Sequence, residues 1–253
     1  MDLPFELDRI IMIEAPPEVV FSFFTDNARW ASWWGAGSTI EPRVGGRVYI
    51  CHPGNVHVSG EVLELRAPQH LLFTYGYDSG QPFPAGGSRV RISLDTVETG
   101  TRLHLHHEFP EGFSRDHHVQ GWRFQLSLFS NAVLNVLHEG VEPRVDQWFS
   151  LWAEADPARR DAGLRAIASP TVSFRDRYSL LDGIDDVSAH IQAALQFMPG
   201  MKLERRGSVR HCQGTVLADW TAVGPDGAAR GQGSNVFSLG ADGKIKSVTG
   251  FWG

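Results

Sequence analysis

The chain has 253 residues, a formal net charge of −6 and a pI near 6.0, with 42% hydrophobic and 21% charged residues. This length allows one large domain or two of ordinary size, and the composition is typical of a globular protein. The acidic balance argues against a nucleic-acid partner, and no stretch reaches the roughly 18 apolar residues of a membrane span.

The cysteines and the N-terminal residues favour a reducing compartment. Cys51 and Cys212 lie far apart in the sequence, so we predict no disulfide framework. The opening residues "MDLPFELDRI" lack the basic stretch and apolar run of a secretory signal. We therefore expect a soluble, cytoplasmic protein with no membrane partner.

The first half of the chain predicts a sheet followed by a long helix. A strand at 5–13 precedes a helix that starts with two prolines, and residues 39–109 alternate strand-like stretches with turns, as in an antiparallel meander. In the helix that follows, one apolar stripe recurs at helical spacing, and Gly140 fits its C-terminal cap. The stripe consists of Trp122, Leu126, Phe129, Val133 and Leu137. This order predicts a curved sheet that grips the helix, with an apolar cavity between them.

At about residue 141 the pattern restarts. Residues 145–152 have the spacing of an amphipathic helix, and "ADPARRDAGLRAIA" is expected to continue it. A short strand "TVSFRDRY", a helix over "GIDDVSAHIQAALQFM" and four strands follow, with hairpin turns at "GPDG" and "GADG". Helices first and strands last, without βαβ alternation, predict a cone-shaped α+β barrel. The predicted fold class is therefore α+β in two domains, a helix-grip domain at 1–140 and the cone-shaped domain at 141–253.

The first half resembles a known superfamily in its strand and helix motifs. The stretches "VFSFFTDNARWASWW", "EPRVGGRVYI", "GEVLELRAPQHLLFTY", "TRLHLHHEF" and "GWRFQLSLFSNAVL" occur in this order within residues 5–138. Together they resemble the START-like helix-grip superfamily (SRPBCC), in the branch of homologues of the activator of the heat-shock protein 90 ATPase. The resemblance implies an apolar pocket, often without catalysis, and we infer no chaperone partner from it.

The second half resembles a different superfamily. Its motifs are "DPARRDAGLRAI", "VSFRDRY", "IDDVSAHI", "ADWTAVGPDG" and "GKIKSVTGFWG", within residues 141–253. They are similar to the SnoaL-like branch of the nuclear-transport-factor-2-like superfamily. That superfamily includes ketosteroid isomerases, polyketide cyclases, dehydratases and epoxide hydrolases, and also domains that only bind or assemble. The resemblance therefore implies a fold and leaves the function open.

The candidate chemistry of the second half begins at Asp176. Strand alternation in "VSFRDRY" places this carboxylate on the same face as Phe174, with Tyr178 just beyond it. Asp176 is then a candidate acid/base, and Tyr178 and His211 are candidate donors to a developing oxyanion. In the alternative interpretation, Asp176 lies at the mouth of the cone, where it caps a loop or pairs with a neighbouring arginine.

Three further residues of the second half are candidate ligand contacts: Trp220, Asn235 and Phe237. Asn235 shares a strand face with Phe237 near a point where catalytic relatives often place an acid, as the resemblance implies. An amide can orient a ligand, but it cannot remove a proton. Trp220 alternates with small apolar residues and is either core or pocket wall.

The histidines of the strand "LHLHHEF" are candidate metal ligands, but they do not all lie on one face. Alternation places His104 and His106 together on the face expected to meet solvent, with His107 on the other face. Zinc needs three or four ligands, so we predict no metal and no other cofactor. In the N-terminal cavity His107 is expected to be the single polar group. Its predicted neighbours, each also explicable as core, are Trp34, Tyr75, Tyr77 and Trp122.

Three functional hypotheses follow. In the first, the protein binds a small hydrophobic or polycyclic molecule in its two pockets, without catalysis. In the second, the C-terminal cone is an isomerase-, cyclase- or dehydratase-like enzyme. In the third, the cone is a dimerisation module that forms a homodimer through its open sheet. Asn235, which replaces an acid by an amide, favours binding over catalysis.

Overall fold

The structure, a computed structural model, describes residues 2–253 and divides them into two compact units, one ending at Leu137 and the other spanning His138–Gly253. Each unit combines one sheet with several helices, so the α+β class with two domains is confirmed. Within residues 2–253, every helix is too short or too polar to cross a membrane.

The first unit is an antiparallel sheet with a long C-terminal helix. Its strands are β1 Phe5–Ile13, β2 Thr39–Ile40, β3 Arg47–His52, β4 Val56–Arg66, β5 His70–Tyr75, β6 Ser88–Val97 and β7 Gly100–Phe109. Its helices are α1 Pro17–Ser22, α2 Asn27–Trp34 and α3 Gly112–Leu137. The sheet order is β1-β7-β6-β5-β4-β3-β2, so the first strand closes onto the last and forms one edge.

The apolar stripe of α3 forms the predicted contact with the sheet. Trp122, Leu126, Phe129 and Val133 are buried, and α3 contacts β1, β7 and α2. Burying a large apolar side chain contributes roughly 1.5–3 kcal/mol, so this stripe is a main source of stability for the unit. Gly140 follows the helix with φ 69°, a conformation that favours glycine.

The second unit places three helices before most of its strands. The helices are α4 Glu142–Leu151, α5 Pro157–Ile167 and α6 Ile184–Phe197. The strands are β8 Ala168–Arg175, β9 Leu180–Asp182, β10 Lys202–Cys212, β11 Thr215–Val223, β12 Ala229–Leu239 and β13 Ile245–Trp252. The sheet order is β10-β11-β12-β13-β8-β9, with β13 and β8 parallel and the other pairs antiparallel.

The two predicted hairpin turns of this unit are present. Asp226 accepts a hydrogen bond from the backbone of Ala228 (3.0 Å), and Asp242 accepts one from Lys244 (2.9 Å). Gly227 and Gly243 have φ 77° and 73°, which a glycine adopts without steric cost. These turns set the antiparallel register of β11, β12 and β13.

The expected continuous helix over residues 145–167 is wrong. Helix α4 ends at Leu151, and α5 begins at Pro157. The side chain of Asp156 accepts hydrogen bonds from the backbone of Ala158 (2.9 Å) and Arg159 (3.2 Å), as an N-cap does. Proline at the first helical position disfavours a helical residue before it, so the sequence "DP" starts a new helix.

Candidate functional site

A cavity of about 610 Å³ lies inside the second unit. Its walls come from α6, from the end of β8 and from strands β10 to β13, and they are mainly aromatic and aliphatic. Representative wall residues are Trp152, Phe174, Leu195, Met198, Leu203 and Ala222. The volume is within the usual range of small-molecule pockets, which are mostly apolar with a few placed polar groups.

The polar groups of this cavity include two acceptors, each held by an indole. Trp220 Nε1 donates to Asn235 Oδ1 at 2.9 Å, and Trp252 Nε1 donates to Asp176 Oδ2 at 3.0 Å. The two indole rings contact each other edge-on, with centroids 5.0 Å apart. Because an indole N–H is only a donor, the amide oxygen of Asn235 must face Trp220. The amide NH₂ of Asn235 is therefore directed elsewhere.

Strand register brings the polar residues together. Asn235 on β12 pairs with Gly250 on β13, and Gly250 adjoins Asp176 just beyond β8. A Cβ atom at Gly250 would lie 3.2 Å from Asn235 Oδ1 and 3.3 Å from Asp176 Cβ. Glycine at this position leaves the space between the amide and the carboxylate open.

A second glycine makes room for an indole. Gly233 pairs with Trp220 across β11 and β12, and a Cβ atom at Gly233 would lie 2.5 Å from Trp220 Cζ2. This distance is much shorter than a van der Waals contact between carbon atoms, so only glycine leaves room for the ring of Trp220 beside this strand. The position of Trp220, and through it the orientation of Asn235, depends on this residue.

Asp176 also closes a turn at the end of β8. Its Oδ1 accepts from the backbone N–H of Tyr178 at 2.8 Å, and its own N–H donates to the carbonyl of Ser179 at 3.0 Å. Such side-chain-to-backbone bonds are typical of aspartate at turns. Asp176 thus lines the cavity and caps a loop, and its role as an acid/base stays a prediction.

Of the other predicted site residues in this unit, Tyr178 borders the cavity and two do not. Tyr178 is 69% exposed and contacts the ring of Trp252 edge-on at 5.6 Å. Phe237 is fully buried against Trp148 and Phe149, which makes it a core residue.

The expectation that His211 acts beside Asp176 is wrong. His211 lies outside the cavity lining and pairs with Val216 near the hairpin between β10 and β11, whereas the cavity residue Trp220 pairs with Arg205 further along the same strands. His211 Nε2 lies 3.1 Å from Nδ1 of buried His138, whose Nε2 faces the carbonyl of Gly240 at 3.4 Å. Burial lowers the pKa of His211 below its ordinary value.

The cavity residues that the sequence did not predict include His190 and Trp252. His190 on α6 lines the cavity, and its Nε2 lies 3.1 Å from Ser179 Oγ and its ring 5.8 Å from that of Trp152. Trp252 was also missed. The signal for His190 is its spacing of three from Val187 on the inner face of α6. No comparable signal identifies Trp252, because its contact depends on the register of β13 with β12.

In the first unit, the predicted pocket residues contact one another. Trp34, Tyr75, His107 and Trp122 are all buried, and Tyr77 is partly buried. The ring of Trp122 lies 5.6 Å from that of Trp34 and 5.7 Å from that of His107. They form part of the aromatic core, and a ligand pocket among them stays a prediction.

The expectation that His107 is the single polar group there is wrong. Trp122 Nε1 donates to His107 Nδ1 at 2.9 Å, so the His107 Nε2–H donates to Ser88 Oγ at 2.8 Å, and Ser88 donates to the carbonyl of Tyr75. A parallel chain runs from the Tyr77 hydroxyl to His118 Nε2 (3.0 Å). His118 Nδ1–H then donates to a backbone carbonyl of α3.

Burial sets the protonation of this network. His52 Nε2 joins the network at 3.2 Å from the Tyr75 hydroxyl. Burial lowers the pKa of His107 well below its ordinary 6.5, and it lowers those of His118 and His52 in the same direction. It also raises the pKa of Tyr75 well above the ordinary value and raises that of Tyr77. The imidazoles and phenols of the network are therefore neutral at pH 7.

Part of the first unit is similar in sequence to a known protein family. Residues 14–133 match the family model described as Activator of Hsp90 ATPase homolog 1-like protein. The N-terminal unit resembles this family. The expected likeness to the START-like (SRPBCC) superfamily is thereby confirmed. No curated protein matches the chain in sequence.

Several solved structures are similar to about half of this chain. A SnoaL-like family protein from Agrobacterium tumefaciens str. C58 has 24% identity and a TM-score of 0.43, over 47% of this chain and 98% of its own. An AHSA1-like protein from Rhizobium etli has 28% identity and a TM-score of 0.43, over 51% of this chain and 81% of its own. The Aha1 dimer from Colwellia psychrerythraea has 20% identity and a TM-score of 0.41, over 49% and 92%. A SnoaL-like family protein is thus among the solved structures to which this chain is similar.

Proposed function

We propose that the C-terminal unit binds a small, neutral and largely apolar molecule that has a polar group at one end. The observation that carries this proposal is the 610 Å³ cavity with aromatic and aliphatic walls and with Asp176 and Asn235 among its lining residues. Apolar walls supply most of the binding free energy, and a few placed polar groups fix the orientation of the ligand.

The hydrogen bonds at Asn235 suggest which polar group the ligand carries. Since Asn235 Oδ1 already accepts from Trp220, its NH₂ group is the part of the amide left to donate to a ligand. A ketone or hydroxyl oxygen is a suitable acceptor. The nearby carboxylate of Asp176 disfavours an anionic ligand, because two negative groups repel each other. Arg230, a cation among the lining residues, is already paired with Asp226.

Catalysis by the same cavity is the second candidate function. Asp176 lines the cavity, so a proton-transferring role as in isomerases, cyclases or dehydratases has a candidate acid/base, with Tyr178 at the mouth. Two observations favour binding over this alternative. Asn235 cannot take up a proton, and both carboxylate oxygens of Asp176 already accept N–H hydrogen bonds.

The proposal also covers the cellular compartment, the domain boundary and the oligomeric state. Cys51 and Cys212 are both free thiols, which suits a reducing cytoplasm. We place the domain boundary near residue 140, so that 1–140 and 141–253 are separate domains. A homodimer through the open C-terminal sheet stays a prediction.

The proposal is tested with two ligands of the same ring shape. Anthrone is a neutral tricyclic ketone, and anthracenecarboxylate is an anion on a similar ring system. We expect anthrone to quench tryptophan fluorescence saturably and to bind at least about tenfold more tightly than the anion, a difference of about 1.4 kcal/mol. In Asp176→Asn the preference for the neutral ligand should shrink, since the substitution keeps the shape and removes the charge.

Equal affinity for the two ligands, or binding of neither, contradicts the proposal. Chromatography of the ligands after incubation separates binding from catalysis. A ligand that is recovered unchanged supports binding. A turnover that Asp176→Asn abolishes, while affinity stays within a few-fold, establishes the enzymatic alternative.

A further inference from the structure

Four side chains that can ligate metals share one face of the first unit's sheet. Glu6 and Asp8 belong to β1, and His104 and His106 belong to β7. Asp8 pairs directly with His106 in the antiparallel register. Paired residues of neighbouring strands point to the same side, and so do residues two apart on one strand.

The ligand atoms are close enough to share one ion. One ligand atom from each of Glu6, Asp8 and His106 lies within 4.8 Å of the others. His106 Nδ1 lies 3.1 Å from Asp8 Oδ1, and His104 Nε2 lies 2.6 Å from the same oxygen. Ligands of a tetrahedral zinc ion are about 3.3 Å apart, as follows from metal–ligand distances of about 2.0 Å. Small side-chain rotations therefore suffice to surround an ion.

We propose that Glu6, Asp8 and His106 bind a divalent first-row metal ion of the Zn²⁺ type on this face, with His104 positioning Asp8. Imidazole nitrogen and carboxylate oxygen are ligands that Zn²⁺ accepts, and water completes a site with three protein ligands. A hydrogen bond from a neighbouring side chain to a ligating carboxylate is the usual outer-shell arrangement. Rigid paired strands hold such ligands more firmly than loops do.

The charges around the cluster are compatible with a bound cation. Asp8 Oδ1 accepts hydrogen bonds from both His104 and His106, so this carboxylate faces the two imidazoles. Among the arginines of the same face, Arg89 is paired with Glu108 (3.2 Å). Arg91 is in register with His106 and is the charge that opposes metal binding there.

The site would also have a structural consequence. Strand β1 is an edge of the sheet, and the ion would join it to β7 through side chains as well as backbone hydrogen bonds. An ion that binds only the folded state raises the melting temperature by mass action. Only the two histidines were predictable as a pair from the sequence, because the carboxylates come from the opposite end of the unit's sequence.

The test is a Zn²⁺ titration of the untagged full chain after removal of metals with a chelator. Calorimetry should show about one Zn²⁺ ion per chain, and the melting temperature should rise by at least about 2 °C. Asp8→Asn and His106→Gln should each abolish this binding. His104→Gln should weaken it by about 10- to 100-fold, the usual loss for an outer-shell partner.

His117→Gln is the matched control, because His117 is an exposed histidine of the same unit that lies on α3. It should bind Zn²⁺ like the wild-type chain. Circular dichroism of each variant without metal verifies the fold, and Glu6→Gln replaces any variant that fails to fold. Absence of saturable binding by the wild-type chain overturns the proposal, as does unchanged binding in Asp8→Asn and His106→Gln.

Discussion

Two tryptophans determine the polar chemistry of the C-terminal cavity. Each indole donates one hydrogen bond, Trp220 to the amide oxygen of Asn235 and Trp252 to the carboxylate of Asp176. Asn235 and Trp220 are buried, and a buried polar group left without a partner would cost about 1–3 kcal/mol, so their bond holds the amide in place. The bond from Trp252 to Asp176 is more exposed. The amide NH₂ of Asn235 is then presented in one fixed orientation, which is why a neutral acceptor is the expected ligand group.

Gly233 is the residue on which this arrangement depends most, and we predict that Gly233→Ala destabilises the C-terminal unit by about 1–3 kcal/mol. The added Cβ would lie 2.2 Å from the carbonyl oxygen of Phe251 and 2.5 Å from Trp220 Cζ2, so the ring must move. Urea unfolding measures the change. Gly231→Ala on the same strand is the control, because its Cβ would meet only Trp252, at 3.8 Å. Equal losses in both variants would contradict this explanation.

At the scale of elements, the short break between α4 and α5 gives the second unit its helical layout. Asp156 caps α5 through two backbone N–H groups, and Pro157 occupies its first turn. The buried face of α5, which includes Leu164 and Ile167, then joins the same core cluster as Val187 and Ile191 of α6. The cap therefore fixes where one of the core helices starts.

We predict that Asp156→Ala lowers the free energy of unfolding by about 1 kcal/mol, within a range of about 0.5–2 kcal/mol for lost N-caps. The reason is that two backbone N–H groups of α5 lose their acceptor. Asp156→Asn should be nearly neutral, because an asparagine side chain offers the same acceptor. Chemical denaturation of both variants measures the effect. A loss in Asp156→Asn as large as in Asp156→Ala would argue against capping.

The elements that local patterns specify were the most predictable from the sequence. The α3 stripe with Trp122 and Phe129 and the hairpins at Gly227 and Gly243 follow from helical spacing and turn chemistry, and the structure contains all of them. The break at Asp156 was predictable in principle, since an "Asp-Pro" pair signals a helix start. Its signal was outweighed by the helix-forming residues around it.

The candidate site was only partly predictable. Asp176, Trp220 and Asn235 line the cavity, as inward-facing positions on their strands suggest. His211 was misplaced because alternation tells which face a residue takes but not how far along the sheet it lies. The pairing of Trp252 with Asp176 joins residues 76 positions apart in the sequence, and only strand register brings them together.

At the scale of the whole molecule, the chain carries two units of different character. The first contains a neutral hydrogen-bond network in its aromatic core, in which His107 and His118 are buried and His52 is partly buried. The second contains the cavity and its polar groups. The buried histidines make the stability of the first unit depend on pH, since protonation would place a charge in a region of low polarity.

We predict that the first unit loses stability as the pH falls from about 7.5 to about 5.5. The pKa of each of the three histidines is lowered in the folded state from the ordinary 6.5, so the unfolded chain binds more protons below that pH. The contribution of these neutral histidines to the free energy of unfolding is fully present above pH 6.5. Below that pH it is lost, at up to about 1.4 kcal/mol per histidine and pH unit. Thermal unfolding at several pH values measures this loss, and His107→Gln should reduce the slope. A melting temperature that rises on acidification would refute the prediction.

The most direct test of the proposed function is to replace a small lining residue of the cavity by a large one. Ala194 lines the cavity on α6, and Gln196 is exposed on the same helix outside the lining residues. In a fluorescence titration with anthrone, Ala194→Phe should weaken binding by about tenfold or more, because the new ring occupies ligand volume. Gln196→Phe, which adds the same ring to the surface, should bind like the wild-type chain. Saturable binding that is equally tight in Ala194→Phe and in the wild-type chain would contradict a ligand site in this cavity.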